Sequence, residues 1–240
     1  GHNQLDGVRL QVGQLASWTL PELTLTNNSF RLLPEGFQLN VAGGLTVGAS
    51  AHLGVEGSIA CGGDLVLTNG GRLSVYSGPV EGAIYGASVE VTNDVVIGEN
   101  SWLQPHAHPT DGGSVRLRMR NLRVSGANAG INAMARGYAP WNGPGHGSGT
   151  THYGTGGGYG GVGGKTSYGA AGAVYGNPLA PLAPGSGGGG SWDGAPLYTG
   201  SGYGGGLVSV EATEDVILKG RLIADGGMGT GFYLYGAGGA

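Results

Sequence analysis

The sequence predicts an all-β solenoid, a single-stranded parallel β-helix of short coils that carries one long glycine-rich insertion. Three observations lead there. No window keeps apolar residues at three-and-four spacing for more than two turns, because glycine interrupts every candidate helix. Short segments such as FQLNV, DLVLT, RLSVY, SVEVT and VILKG alternate apolar with polar residues between Gly, Asn and Asp turns. Pieces of this pattern also return at an offset that suits one coil of a solenoid.

Residues 1–38 do not repeat, yet VRLQVGQLASWTLPELTLTNNSFRLLPEG still alternates. This segment is expected to cap the solenoid, since an open end exposes core and unpaired strand edges. Residues 39–132 carry the first coils. LTVGASAHLGVEG from Leu45 reads like LVLTNGGRLSVYSG from Leu65, strand, turn, strand and turn, twenty residues on. VEVTNDVV from Val89 returns as VEATEDVI from Val210 with five of eight positions identical. A looser third copy begins at Val115. In SVRLRMRNLRV, the alternation turns Val115, Leu117 and Met119 inward and leaves Arg116, Arg118, Arg120 and Arg123 on a solvated face. An acidic polysaccharide or a phosphate is the competing use of that stripe.

Coils resume over 207–240, so residues 133–206 are read as an insertion. It holds two of the four tryptophans and seven of the eleven tyrosines. Disordered linkers have little apolar surface to bury, so this concentration of rings predicts order. Extended glycine segments are expected to pack closely because no Cβ intervenes, with tyrosine rings filling gaps or facing outward. A mobile surface loop is the competing reading.

Composition narrows the partners. Glycine fills 56 of 240 positions, while Asp and Glu together number 15 and Lys and Arg 11. So few charges leave Ser, Thr, Asn, Tyr and bare backbone to keep the surface wet, as is common outside cells. A formal net charge of −4 and the absence of a Lys/Arg run argue against nucleic acid. No apolar run reaches the roughly 18 to 20 residues of a membrane helix, so no membrane insertion is expected. Cys61 has no disulfide partner and no companion at metal spacing, which makes it a small core residue. The opening GHNQ and the closing YLYGAGGA read as the bounds of a piece of a longer protein, with further domains or self-association as expected partners.

The coils, the VEVTNDVV repeat and YGNPLAPLAPGSGGG from Tyr175 together resemble glycine-rich right-handed parallel β-helix proteins of bacterial surfaces and secretomes. The resemblance spans about Leu39 to Gly227 and is one of fold type. It implies right-handed winding, an extracellular or cell-surface location and contact with polysaccharide. Lyases, hydrolases, phage depolymerases, adhesins and carbohydrate-binding modules all share this architecture, so it does not choose among them.

Candidate chemistry is sparse. In QPHAHPTDGG, His106 and His108 fall on one face if the segment is a strand, and Asp111 follows closely, a set that suits a divalent metal. An exposed turn is the competing reading, and no other cofactor is expected. His146 and His152 lie in the insertion and would join this site if the insertion folds back over it. Glycosidic cleavage needs two carboxyl groups about 5 to 10 Å apart or a suitable base. The weak catalytic candidates are Asp193, Asp111 and His108, with Asp225 also near the insertion. Glu90, Asp94, Glu211, Glu214 and Asp215 recur at repeat positions and read as turns and outer faces. Sugars stack on aromatic rings, so Trp141, Trp192, Tyr138, Tyr153, Tyr159, Tyr198 and Tyr203 are the ligand-binding candidates. Packing of the insertion against itself is their competing role. The expected function is an extracellular polysaccharide-binding or adhesion module that uses the aromatic residues of the glycine-rich insertion and one β-helix face; the alternatives are a polysaccharide-degrading β-helix hydrolase or lyase, or a fragment of one, and a structural fibre or spacer subunit.

Overall fold

The computed structural model describes residues 4–6, 11–12, 15–80, 84–149, 153–167, 169–177, 179–190, 201–229 and 238–239. Among these the protein is all-β, without a helix, and every pairing between its strands is parallel. The strands form a seven-stranded and an eleven-stranded curled sheet.

They stack as three ladders that the chain visits in a fixed order. The first face holds Ser17–Leu20, 37–41, 58–61, Tyr85–Val91, Ser114–Met119 and Ser209–Ala212. The second holds Gln4–Asp6, Leu23–Thr26, Leu45–Gly48, Leu65–Leu67, Asp94–Ile97, Asn121–Val124 and Val216–Leu218. The third holds Gln11–Val12, 29–32, 52–55, Arg72–Tyr76, Trp102–His106, Gly130–Asn132 and Arg221–Ile223. The long strands Ser29–Val41 and His52–Cys61 run from the third face round into the first, which joins those two faces in one sheet.

Period-two alternation builds the core, because every second side chain points between the faces. One column runs Leu23, Leu45, Leu65, Val95, Leu122 and Val216, and its first five members are buried. Fully burying one such side chain contributes about 1.5–3 kcal/mol. Cys61 is buried in the column between Val41 and Val91, and its thiol donates to the carbonyls of Gly43 and Asp64. Burial pushes that thiol's pKa up. At the last rung Val216, Leu218 and Leu222 are exposed, since no described strand stacks on them.

The twenty-residue offset is a true register, with Leu45 opposite Leu65 and Val47 opposite Leu67. Val89 and Val210 both face Leu117, so the two matching octapeptides occupy one column two rungs apart. The intermediate copy is therefore centred on Leu117, two residues beyond Val115. Upstream of residue 39, Ser17–Leu20 and Leu23–Thr26 already pair in the same ladders, so this part of the expected cap continues the stack.

Two corners differ. Between the second and third faces the chain turns through left-handed residues, Asn27 (φ 54), Ala49 and Ser50 (φ 48 and 60), Asn69 (φ 51) and Asn100 (φ 57). Asparagine tolerates this region better than most residues. Between the third and first faces the connection varies from Glu56–Gly57 to the whole stretch from Asn132 to Ser209. The long excursion therefore stands beside one edge of the third face.

Its described part is a bundle of extended glycine segments around Pro184–Gly190, which is buried throughout. That segment bonds in several directions: Gly185 N–H to Gly205 O (2.7 Å), Gly187 to Asn142 O (3.0 Å), Gly188 to Gly202 O (2.9 Å) and Gly189 to Thr155 O (2.8 Å). A Cβ on Gly187 would lie 2.0 Å from Ala139 O, and one on Gly204 would lie 1.7 Å from Gly185 O. Backbones at that separation admit only glycine, which is why the composition is so extreme. The bundle is tied to the stack where Tyr138 Oη donates to Asp111 O (3.1 Å), Ala139 N to Pro109 O (2.8 Å) and Ala107 N to Arg136 O (2.8 Å). Gly227 and Gly239, after the last strand, join the same bundle through Tyr203 O and Ser186 O.

Candidate functional site

The outward positions of the third face carry the densest set of chemically distinctive side chains. In HLGV, RLSVY and WLQPH, the residues Leu53, Val55, Leu73, Val75 and Leu103 are buried inward. The alternation necessarily turns His52, Arg72, Trp102, Gln104 and His106 outward. Register places His52, Arg72, Trp102, Gly130 and Arg221 on five successive rungs of one column. Parallel to it, Gly54, Ser74 and Gln104 form a second column, with Tyr76 opposite His106 beyond them.

Two networks hold this surface rigid. Ser74 donates its hydroxyl proton to Gln104 Oε1 (3.0 Å), so its oxygen accepts from His52 Nε2 at 2.8 Å and that nitrogen carries the proton. Burial, then Arg72, lowers the His52 pKa and keeps the ring neutral. The second network is a stack. The Arg31 guanidinium lies 4.9 Å from the Tyr76 ring centre, and the Tyr76 and His106 rings stack at 4.2 Å and 27°. Arg136 Nε then donates to His106 Nε2 (3.1 Å). Burial, with Arg136 beside it, pushes His106 down to about 3, so its imidazole is the neutral acceptor this contact requires.

Along the corner with the second face, Ser29, Ser50, Asn100, Asn128, Arg72 and Trp102 line one open groove that His52 also borders. Asn128 Nδ2 donates to Asn100 Oδ1 at 2.7 Å. A half-buried indole flanked by amides, hydroxyls and a guanidinium offers an apolar plane with hydrogen-bonding groups around it, as sugar rings require. None of Arg72, Trp102, His52, Tyr76 or Gln104 stood among the sequence candidates. The alternation that exposes them was legible, but the aromatics of the glycine-rich segment drew the weight.

The expected metal trio is not gathered. His106 and His108 do not share a strand, because the strand ends at His106. His106 spends its acceptor nitrogen on Arg136, a cation that would repel a metal. His108 instead lies between Asp111 Oδ1 (3.1 Å from Nδ1) and Glu35 Oε1 (3.7 Å from Nε2). Asp111 also accepts from Val80 N and Gly113 N, both at 3.1 Å, so His108 and Asp111 clasp neighbouring corner loops together. Among the described residues no group of three or more His, Cys, Asp or Glu is arranged to hold a metal ion. His146 is exposed and bonds Gly147 O, with no contact to His106 or His108.

The insertion aromatics divide. Tyr138 and Tyr159 are buried, so their faces pack the bundle and are not offered to a ligand. Tyr159 meets Tyr175 edge-on at 5.1 Å. Trp141 and Tyr153 are half-buried, and Tyr203 is exposed. Trp192, Tyr198, His152 and the catalytic candidate Asp193 lie outside the described residues.

On the first face and its corner with the second the arginine stripe is neutralised. Arg116 makes a two-pronged contact with Glu211, both bonds 2.7 Å, and Arg118 meets Glu211 (3.2 Å) and Glu90 (3.5 Å). Arg120 and Arg123 share Asp94 at 3.1 and 3.4 Å, and Arg120 also approaches Glu214. These pairs depress the Asp94 and Glu211 carboxyls, through Asn121 and Arg120 in the first case and Arg116 in the second. The solvated, repeat-position reading of both sets of residues holds. No helix among the described residues is long and apolar enough to cross a membrane. Comparison with protein-family models, curated proteins and solved structures finds no match to this chain.

Proposed function

We propose that this chain is a right-handed parallel β-helix that binds polysaccharide outside the cell, and that its third face, more than the glycine-rich insertion, is the binding surface. The observation that carries the reading is the groove in which Trp102 lies between Arg72 and the Asn100–Asn128 pair, built on strands whose inward residues are buried. Sites on a packed sheet hold their geometry better than sites on loops. The insertion supports the surface from one side through Arg136.

Calorimetric titration with a panel of soluble glycans tests this. At least one glycan binds, and Trp102→Ala weakens that binding about tenfold or more without lowering the thermal midpoint appreciably. Unchanged affinity in Trp102→Ala rejects the third face as the site. A second reading, assembly into a fibre, draws on the exposed Val216, Leu218 and Leu222 at the last rung. Light scattering over a concentration series distinguishes it, since assembly raises the mean mass and Leu218→Lys lowers it again.

A further inference from the structure

We infer that the glycan is acidic and lies along the stacking direction, its carboxylate or sulfate groups meeting Arg72 and Arg221 while one sugar ring covers Trp102. This deepens the reading of the third face as a glycan site and rests on it.

The first argument is charge without a partner. Arg72, Arg136 and Arg221 make no ion pair among the described residues, whereas Arg116 and Arg118 on the first face, Arg120 at its corner and Arg123 on the second face all do. From Ser29 to Arg221, the outward positions of the third-face strands include no Asp or Glu. Glu56, the next residue after Val55 in the strand His52–Cys61, is already held by Arg31. With His52 and His106 neutral, arginine is the only charge presented there, and it is a fork suited to carboxylate and sulfate oxygens.

The second argument is spacing. Arg72, Trp102, Gly130 and Arg221 occupy consecutive rungs, and parallel strands lie about 4.8 Å apart. Each rung is close to the advance of one pyranose in an extended chain, so a glycan running along the stack repeats in step with the protein. Gly130 supplies no side chain between Trp102 and Arg221, and a Cβ there would lie 1.8 Å from Arg221 O, so the rung between them stays flat. Arg136 lies beyond this line, beside His106 at the other end of the strand Trp102–His106, where His106 and its bond to Met134 O (2.7 Å) fix it.

The test titrates the full chain with polygalacturonate, dextran sulfate, neutral dextran and single-stranded DNA in low and moderate salt. The expected result is binding to at least one of the two acidic glycans, at least about tenfold tighter than to dextran, weakening as salt rises. Arg72→Gln and Arg221→Gln should each reduce that affinity several-fold, while Arg118→Gln leaves it unchanged. Which acidic glycan binds tells carboxylate from sulfate recognition. Dextran binding as tightly as the acidic glycans overturns the charge assignment and leaves the glycan reading standing. Binding of DNA as tight as that of the acidic glycans overturns glycan recognition in favour of plain anion binding, and absence of binding to any glycan overturns both. Thermal midpoints of the variants, expected to match the parent, show that each loss is one of contact.

Discussion

The first and third faces of the stack both display arginine, and they use it in opposite ways. On the first face and its corner with the second, Arg116, Arg118, Arg120 and Arg123 are spent on Glu90, Asp94, Glu211 and Glu214 from neighbouring rungs, which ties adjacent rungs together. On the third, Arg72, Arg136 and Arg221 have no acid among the described residues, and they share the face with Trp102, Tyr76 and two neutral histidines. A basic stripe in a sequence is therefore a poor guide to a binding site until the carboxylates opposite it are known. What marks a site is cation left over after the fold has made its own pairs.

The largest expected effect lies beneath the surface. Leu73→Ala, in the buried row under the third face, should destabilise the chain by about 2–5 kcal/mol in urea unfolding. A cost near zero would mean that this face is not seated on a packed core. Next comes Trp102→Ala, which should cost glycan affinity and little stability, and so separates the site from its support.

A pH series probes the stack. The His106 pKa lies near 3 in the folded chain, below its usual 6.5, so the unfolded chain takes up a proton first as pH falls. Stability from this group is complete above about pH 6.5 and declines toward pH 3. The ring faces Tyr76, Arg136, His52 and Arg31, none of them an acid that would offset the effect. His52, also depressed, adds in the same direction. Between about pH 7 and pH 5, above the range where Asp94 and Glu211 protonate, the urea midpoint should fall, and His106→Gln should flatten the slope. An equal slope in both proteins would contradict a neutral, half-buried His106.

The smallest expected effect sharpens the contrast most. Removing one partner of an exposed ion pair changes stability little, so Arg118→Gln should leave both unfolding and glycan binding nearly unchanged.

Much of the scaffold was legible in the sequence, for a physical reason. Leu45 and Leu65 share a column because stacked parallel strands must present an apolar residue at the same point of each rung, and that requirement survives as an offset of twenty. The placement of the third copy missed by two, at Val115 in place of Leu117, because period-two alternation looks alike after a shift of two. The rings of the insertion stood out in the sequence, and in its described part Tyr138 and Tyr159 fill gaps between glycine backbones. The site was less legible. Arg136 and His106 are thirty residues apart, and their contact depends on where the excursion leaves the stack. Trp102 needed only the alternation of WLQPH to be seen facing outward.

Hydrogen exchange measured with and without a bound glycan tests the central claim most directly. With a glycan that binds, the account predicts slowed exchange in peptides covering 72–76, 102–106 and 221–223, and no change over 85–91 and 114–119. Protection confined to the first-face peptides, or to the glycine-rich segment between Tyr153 and Gly190, would contradict it.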